Sequence, residues 1–165
     1  MHANHPTGVE AIDSLLEPLG FSEARLFRET TPEAGVAKVA DLAWNLGVED
    51  RQPVLVFSGG VSKEGFVHSL LTHATGVPLE DIRRGSLDET AMARLTDAAG
   101  RAYEAPIIVD DRADLTPDAF METVEDTEAK EGDLILLFRR DGWVVVSARR
   151  GGLPALEDQP APQGS

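Results

Sequence analysis

Cysteine is absent from this sequence, and with it go disulfides, thiol nucleophiles and cysteine-ligated zinc. Positive charge is scarce. Fifteen Lys and Arg stand against 29 Asp and Glu, a formal net charge of −14. A surface of that sign repels phosphate backbones and disfavours direct nucleic-acid binding, although it leaves room for a local basic patch or a basic partner. Histidine supplies His2, His5, His68 and His73 only, in no spacing that suits a metal. His68 and His73, five apart on one predicted helix, face different ways. No apolar run reaches the roughly 18–20 residues of a membrane span. The first residues lack the charged start and apolar centre of a signal peptide. The expectation is a cytoplasmic protein with no membrane partner.

What is present is an alternation of apolar runs and helical patterns over 165 residues, enough for one domain with its own core. A short helix carries Val9, Ile12, Leu15 and Leu16, and residues 24–27 form a short strand. Thr31-Pro32 caps a helix with Val36, Val39, Ala40, Ala43 and Leu46 on one face. Residues 53–58, Pro-Val-Leu-Val-Phe-Ser, read as a strand buried on both faces. Ser62 caps a helix burying Phe66, Leu70 and Ala74, and a short helix around residues 79–84 ends at Gly85. Asp88 caps a longer helix with Met92, Leu95, Ala99 and Ala102 inward. Residues 107–109 make the next buried strand, and Thr116-Pro117 repeats the cap-and-proline start of a helix burying Phe120 and Val124. Residues 134–138 and 143–147 predict an antiparallel hairpin at the sheet edge, since only four residues separate them. The predicted organisation is a flexible start over residues 1–6, one α/β domain over 7–152, and a disordered Pro-, Gln- and acid-rich tail over 153–165.

Three segments bear on chemistry. The strand-to-helix turn at residues 28–38 is where such folds bind phosphate on a helix N-terminus. A phosphate-binding loop of the form G-x-x-x-x-G-K-[ST] needs lysine for the phosphates and a hydroxyl for magnesium. Here the turn holds one glycine, Gly35, followed by Val36. Lys38 comes a turn too late, and Glu29 and Glu33 add negative charge where an anion would sit. It reads as a plain connection. Residues 107–111, Ile-Ile-Val-Asp-Asp, place Asp110 and Asp111 at the end of a strand as candidate magnesium ligands. Strands also end in Asp simply to start a turn, which is the stronger reading. The third segment is basic: Arg139, Arg140, Arg149 and Arg150 suit an acidic partner, a phosphate or DNA, although the net charge argues against DNA. The same arginines also suit a charged sheet edge that resists aggregation.

The succession of these segments resembles the C-terminal RecA-like motor domain of DnaB-type replicative helicases. Thr7-Gly8 to Asp13 is similar to that family's "TG-x-x-x-LD" opening. Val54 to Ser58 is similar to the strand before its "SLEM" motif. Asp81 to Asp88 matches an "IR-x-G-x-L" connection, and Ile107 to Pro117 an "I-x-I-D-D-x-x-x-L-T-P" segment. Residues 132–141 resemble a late strand ending in "RD", and residues 144–152 the strand leading to a "K-x-R-x-G" arginine finger.

This resemblance implies a RecA-like three-layer sandwich with a mostly parallel sheet and a C-terminal antiparallel hairpin. It also implies that the machinery is degraded. The family's GKT falls at Ala34-Gly35-Val36, and its catalytic glutamate at Gly60. Its Walker B section falls in a gap between Glu131 and Gly132. If the strand from Leu134 were Walker B instead, Arg139 would stand at the acid's place. Of the finger motif, lysine falls on Ala148 and arginine on Arg150. The implied protein is a shortened, non-catalytic pseudo-ATPase without cofactor. It would dock on a replicative helicase or related ATPase, or self-associate, in DNA replication or repair. The alternative is a residual nucleotide- or magnesium-binding enzyme using Asp110 and Asp111.

Overall fold

The computed structural model describes residues 10–16, 23–113, 116–148 and 153. Its five strands are β1 (Glu23–Arg28), β2 (Val54–Phe57), β3 (Ile107–Asp110), β4 (Ile135–Arg140) and β5 (Trp143–Ala148). They form one sheet in the order β1-β5-β4-β2-β3. β4, β2 and β3 are parallel, and β5 is antiparallel to both β4 and β1. β1 therefore runs with the parallel set, and β5 alone opposes it.

Among the described residues six α-helices accompany the sheet: α1 (Glu10–Leu16), α2 (Pro32–Ala43), α3 (Lys63–Thr75), α4 (Leu79–Arg84), α5 (Glu89–Glu104) and α6 (Pro117–Glu131). Caps set their starts as the sequence dictates. Thr31, Ser62, Asp88 and Thr116 each accept a backbone N–H with the side chain, and proline fills the first position of α2 and α6. Left-handed glycines at Gly76 and Gly85 stop α3 and α4.

Strand alternation sorts the core into two layers. Val54, Val56, Ile135, Leu137, Val144 and Val146 meet α2, α3 and α5 on one face. Leu55, Phe57, Leu136, Phe138 and Val145 meet α1 and α6 on the other, where Phe120 sits between Phe57 and Phe138 at ring distances of 4.6 and 5.5 Å. Helices on both faces of a mostly parallel sheet make the RecA-like three-layer sandwich that the sequence implies.

Five readings change on contact with the structure. The β4–β5 hairpin forms, but it is interior, because β1 adds to the free side of β5 in the register Glu23↔Ala148 to Arg28↔Trp143. β3 takes an edge instead, so Ile107, Ile108 and Val109 are half-buried rather than enclosed. On α5 the inward face carries Ala91, Leu95, Ala98 and Ala102, while Met92 is 50% exposed and Ala99 faces solvent. Both sets fit a helical period, and the difference is a rotation of about one residue. α2 does not stay regular either. Trp44–Glu49 widens to a π-helical stretch that buries Leu46, Gly47 and Val48 together. Leu153, which composition assigns to the tail, packs half-buried against the first core layer. The expected flexible start, the rest of the tail, Thr7, Gly8 and Val9 lie outside the described residues.

Candidate functional site

The carboxyl ends of the parallel strands are where open α/β sheets bind ligands, particularly where connections from neighbouring strands leave to opposite faces. β2 and β3 are such a pair: the chain leaves β2 into α3 on one face and leaves β3 into α6 on the other. Glu29, Ser58, Asp110 and Arg139 all stand at this edge.

At the turn from β1 into α2, three of the first four backbone positions of the helix offer no free donor to a phosphate. Pro32 has no N–H. Ala34 N–H donates to Thr31 Oγ1 at 3.0 Å, and Gly35 N–H to the Thr31 carbonyl at 2.9 Å. Beside them lies a buried ion pair. Arg139 Nε donates to Glu29 Oε1 at 3.1 Å and Arg139 Nη2 to Glu29 Oε2 at 2.6 Å. The Glu29 side chain is 8% exposed and that of Arg139 19%. The pair lies flat on α2 at Gly35. A Cβ there would fall 2.6 Å from Glu29 Cδ and 2.9 Å from Arg139 Nε. The only residue type that admits the pair is the one present. An internal carboxylate and guanidinium thus fill the space that Gly35 leaves on α2. Glu29 is further fixed by its own N–H, which donates to the Gly142 carbonyl at 2.8 Å.

Lys38 does not reach this turn. Its ammonium lies 4.6 Å over the Phe27 ring and 3.7 Å from Asp41. At the end of β2, Gly59 and Gly60 adopt φ of 67° and 95°, and Ser58 Oγ donates to the Val61 carbonyl at 2.6 Å. The loop after β2 is therefore closed on itself, and residues 58–62 carry no acid.

Asp110 and Asp111 occupy the right place for a metal and point to different partners. Arg112 Nε and Nη2 donate to Asp110 at 3.1 and 2.7 Å, its backbone N–H at 3.1 Å, and Thr123 Oγ1 at 3.1 Å. The Arg112 guanidinium also contacts Thr123 Oγ1. These bonds, Arg112 foremost, hold the Asp110 carboxyl below its ordinary value of 3.8, against the opposing effect of burial. Asp111 accepts the Lys63 N–H at 3.1 Å, at the start of α3. Among the described residues no three His, Cys, Asp or Glu side chains converge on a metal position. Of the four basic candidates, Arg139 is committed to Glu29, Arg140 ends β4 half-buried, and Arg149 and Arg150 lie outside the described residues.

The Glu29–Arg139 contact is what sequence reading misses. Both residues stand out singly, Glu29 as an acid at an anion turn and Arg139 as a base at an acid's position. Their opposite sense at two adjoining functional positions is the signal that links them.

Comparison with known proteins agrees with this architecture. Residues 6–138 match the DnaB-like helicase C terminal domain. The replicative DNA helicase DnaB of Treponema pallidum is 28% identical over 105 residues, covering 64% of this chain and 24% of that protein. Its counterpart in Nostoc sp. is 26% identical over 127 residues, covering 77% of this chain and 14% of its own. That of Leifsonia xyli is 26% identical over 112 residues, 67% and 24% respectively. The chain thus spans no more than about a quarter of the length of these relatives. A sandwich with helices on both faces of the sheet and a family match over most of its length lead to one conclusion: this chain belongs to the DnaB-like helicase C-terminal domain family.

Proposed function

We propose that the chain is a non-catalytic pseudo-ATPase that works as a protein-interaction or assembly module. The observation that carries this reading is the Glu29–Arg139 pair seated on Gly35. Phosphoryl transfer is almost entirely positioning and charge stabilisation. A buried carboxylate at the phosphate turn opposes the substrate's own charge. The arginine that could neutralise that substrate is already neutralised. Residues 34–36 bring neither lysine nor hydroxyl where the family's GKT falls, the Thr31 hydroxyl is taken up capping α2, and Gly60 brings no base.

The partner class is a replicative helicase or related ATPase, or another copy of the chain, in a cytoplasmic replication or repair setting. The motive is family membership combined with the lost phosphate site. No described helix is long and apolar enough to cross a membrane. The net charge of −14 argues for protein rather than nucleic acid as the partner.

Thermal denaturation with and without ATP or ADP and magnesium tests the reading. A ligand at a hundred times its Kd adds about 2.7 kcal/mol of stability. The expected result is no shift at millimolar nucleotide. The rival reading is a residual nucleotide or magnesium site on Asp110 and Asp111, and it rests on their position at the sheet's crossover. A shift abolished by Asp110→Ala establishes that rival and ends the pseudo-ATPase reading.

A further inference from the structure

β3 is the open edge of the sheet: among the described strands it pairs with β2 alone. Which backbone groups it leaves outward follows from its bonds. Val54 N–H donates to the Pro106 carbonyl at 2.9 Å and Ser58 N–H to that of Asp110 at 3.0 Å. In a parallel ladder alternate residues turn to opposite sides. The carbonyl of Ile107 and both backbone groups of Val109 therefore point away from β2. The Ile107 N–H turns back to the Ala105 carbonyl at 2.8 Å.

Soluble proteins cover or blunt such an edge, because it is a template for another strand. Here it is neither proline-capped along its length nor lysine-bearing, and its apolar side chains are half-exposed. A groove of about 360 Å³ runs between this strand and α6. Ile108 and Val109 form one wall and Thr123 and Thr127 the other. Asp110, Asp111, Asp126 and Glu131 line it too, against Lys63 and Lys130, with Arg112 bonded to Asp110 and Thr123. Lys130 is already 3.5 Å from Asp126.

We propose that the β3 edge and its acidic groove receive an extended, basic segment of a partner protein as a sixth strand. Main-chain bonds to Val109 supply the attachment, and alternate lysine or arginine side chains reach the α6 carboxylates. A second copy of this chain is a poor occupant, since two β3 edges brought together would each carry the same acidic rim. The inference deepens the interaction-module reading and rests on it for biological sense. Its chemistry is independent of whether nucleotide binds.

The probe is a synthetic peptide of alternating lysine and valine, about eight residues long. Three controls accompany it: glutamate for lysine, the peptide N-methylated along one edge, and the full chain carrying Asp126→Lys with Glu131→Lys. The expected result is saturable binding that slows Val109 amide exchange roughly tenfold or more. It weakens at least tenfold in each control. The two α6 residues are exposed, so their replacement leaves the fold intact. Equal binding of the N-methylated peptide overturns the strand addition. Equal binding to the charge-reversed chain overturns the acidic groove. Protection that appears elsewhere and not at Val109, or a dimer of the chain alone that Val109→Pro dissociates, overturns the proposal as well. A nucleotide-induced thermal shift alongside normal peptide binding would sink only the pseudo-ATPase reading.

Discussion

Two arginine–carboxylate pairs stand at the same edge of the sheet, and they do different things. Glu29–Arg139 joins β1 to β4 across most of the chain, is 8% and 19% exposed, and lies against a helix backbone. Asp110–Arg112 closes over two residues, with Asp110 11% exposed and Arg112 47%. The first is built into the packing: remove a partner and a charge is left inside. The second decorates a turn whose arginine already meets water. An ion pair at this edge of the sheet therefore has no fixed meaning. Its burial and the chain distance it spans decide whether it blocks a site or merely tidies one.

The sharpest way to break this contrast is Glu29→Ala. It strands the Arg139 guanidinium and is expected to cost about 3 kcal/mol or more in chemical denaturation. Replacing both partners, Glu29→Leu with Arg139→Met, is expected to return stability to within about 1 kcal/mol of the parent. If the double variant is as unstable as the single, the pair is not the source of the loss. Next in size is Gly35→Ala, expected to cost about 1–3 kcal/mol through collision with Glu29. Measured again in the Glu29→Ala background, that cost should fall below about 1 kcal/mol, because contacting sites couple. Equal costs in the two backgrounds mean that Gly35 is needed for some other reason.

Asp110→Asn is expected to cost less than either, and its cost carries a pH signature. Asp110 has a folded pKa depressed below its ordinary 3.8. Its contribution is therefore fully present above that value and is lost as pH falls through the lower folded value. Parent and variant should differ by a constant amount at neutral pH and converge in acid below about pH 4. Convergence on the alkaline side instead would contradict the assignment. Smallest is Arg140→Ala, expected within about 0.5 kcal/mol of the parent, the figure for surface positions without special partners. A loss there comparable to that of Arg139→Ala would erase the distinction between the two arginines.

Local signals carried most of the fold into view. Four side-chain caps, two proline starts and the apolar runs at residues 54–57 and 135–138 mark elements where the structure has them. What failed depended on neighbours distant in sequence. Nothing in residues 107–109 states that no second strand will flank them, and nothing in residues 143–148 states that β1 will. The rotation of α5 is similar: Met92 is as hydrophobic as a core residue, and the tighter packing of Ala98 against the core decides the face. The site was half legible. Lost lysine, hydroxyl and glutamate can be counted along the chain, whereas a salt bridge between positions 29 and 139 requires the sheet order to be known.

The placement of β1 against β5 also bears on how the molecule is made. Glu23 stands opposite Ala148, so an early strand has its only described sheet partner in one of the last. During synthesis β1 must wait, unpaired, while nearly the whole domain leaves the ribosome. Long-range pairing of this kind slows folding and leaves an unpaired strand exposed in the interim. Chains that stop short of Trp143 are thus expected to hold β1 adrift with Glu29 unburied. That makes closure of the Glu29–Arg139 pair a late event in the life of each molecule.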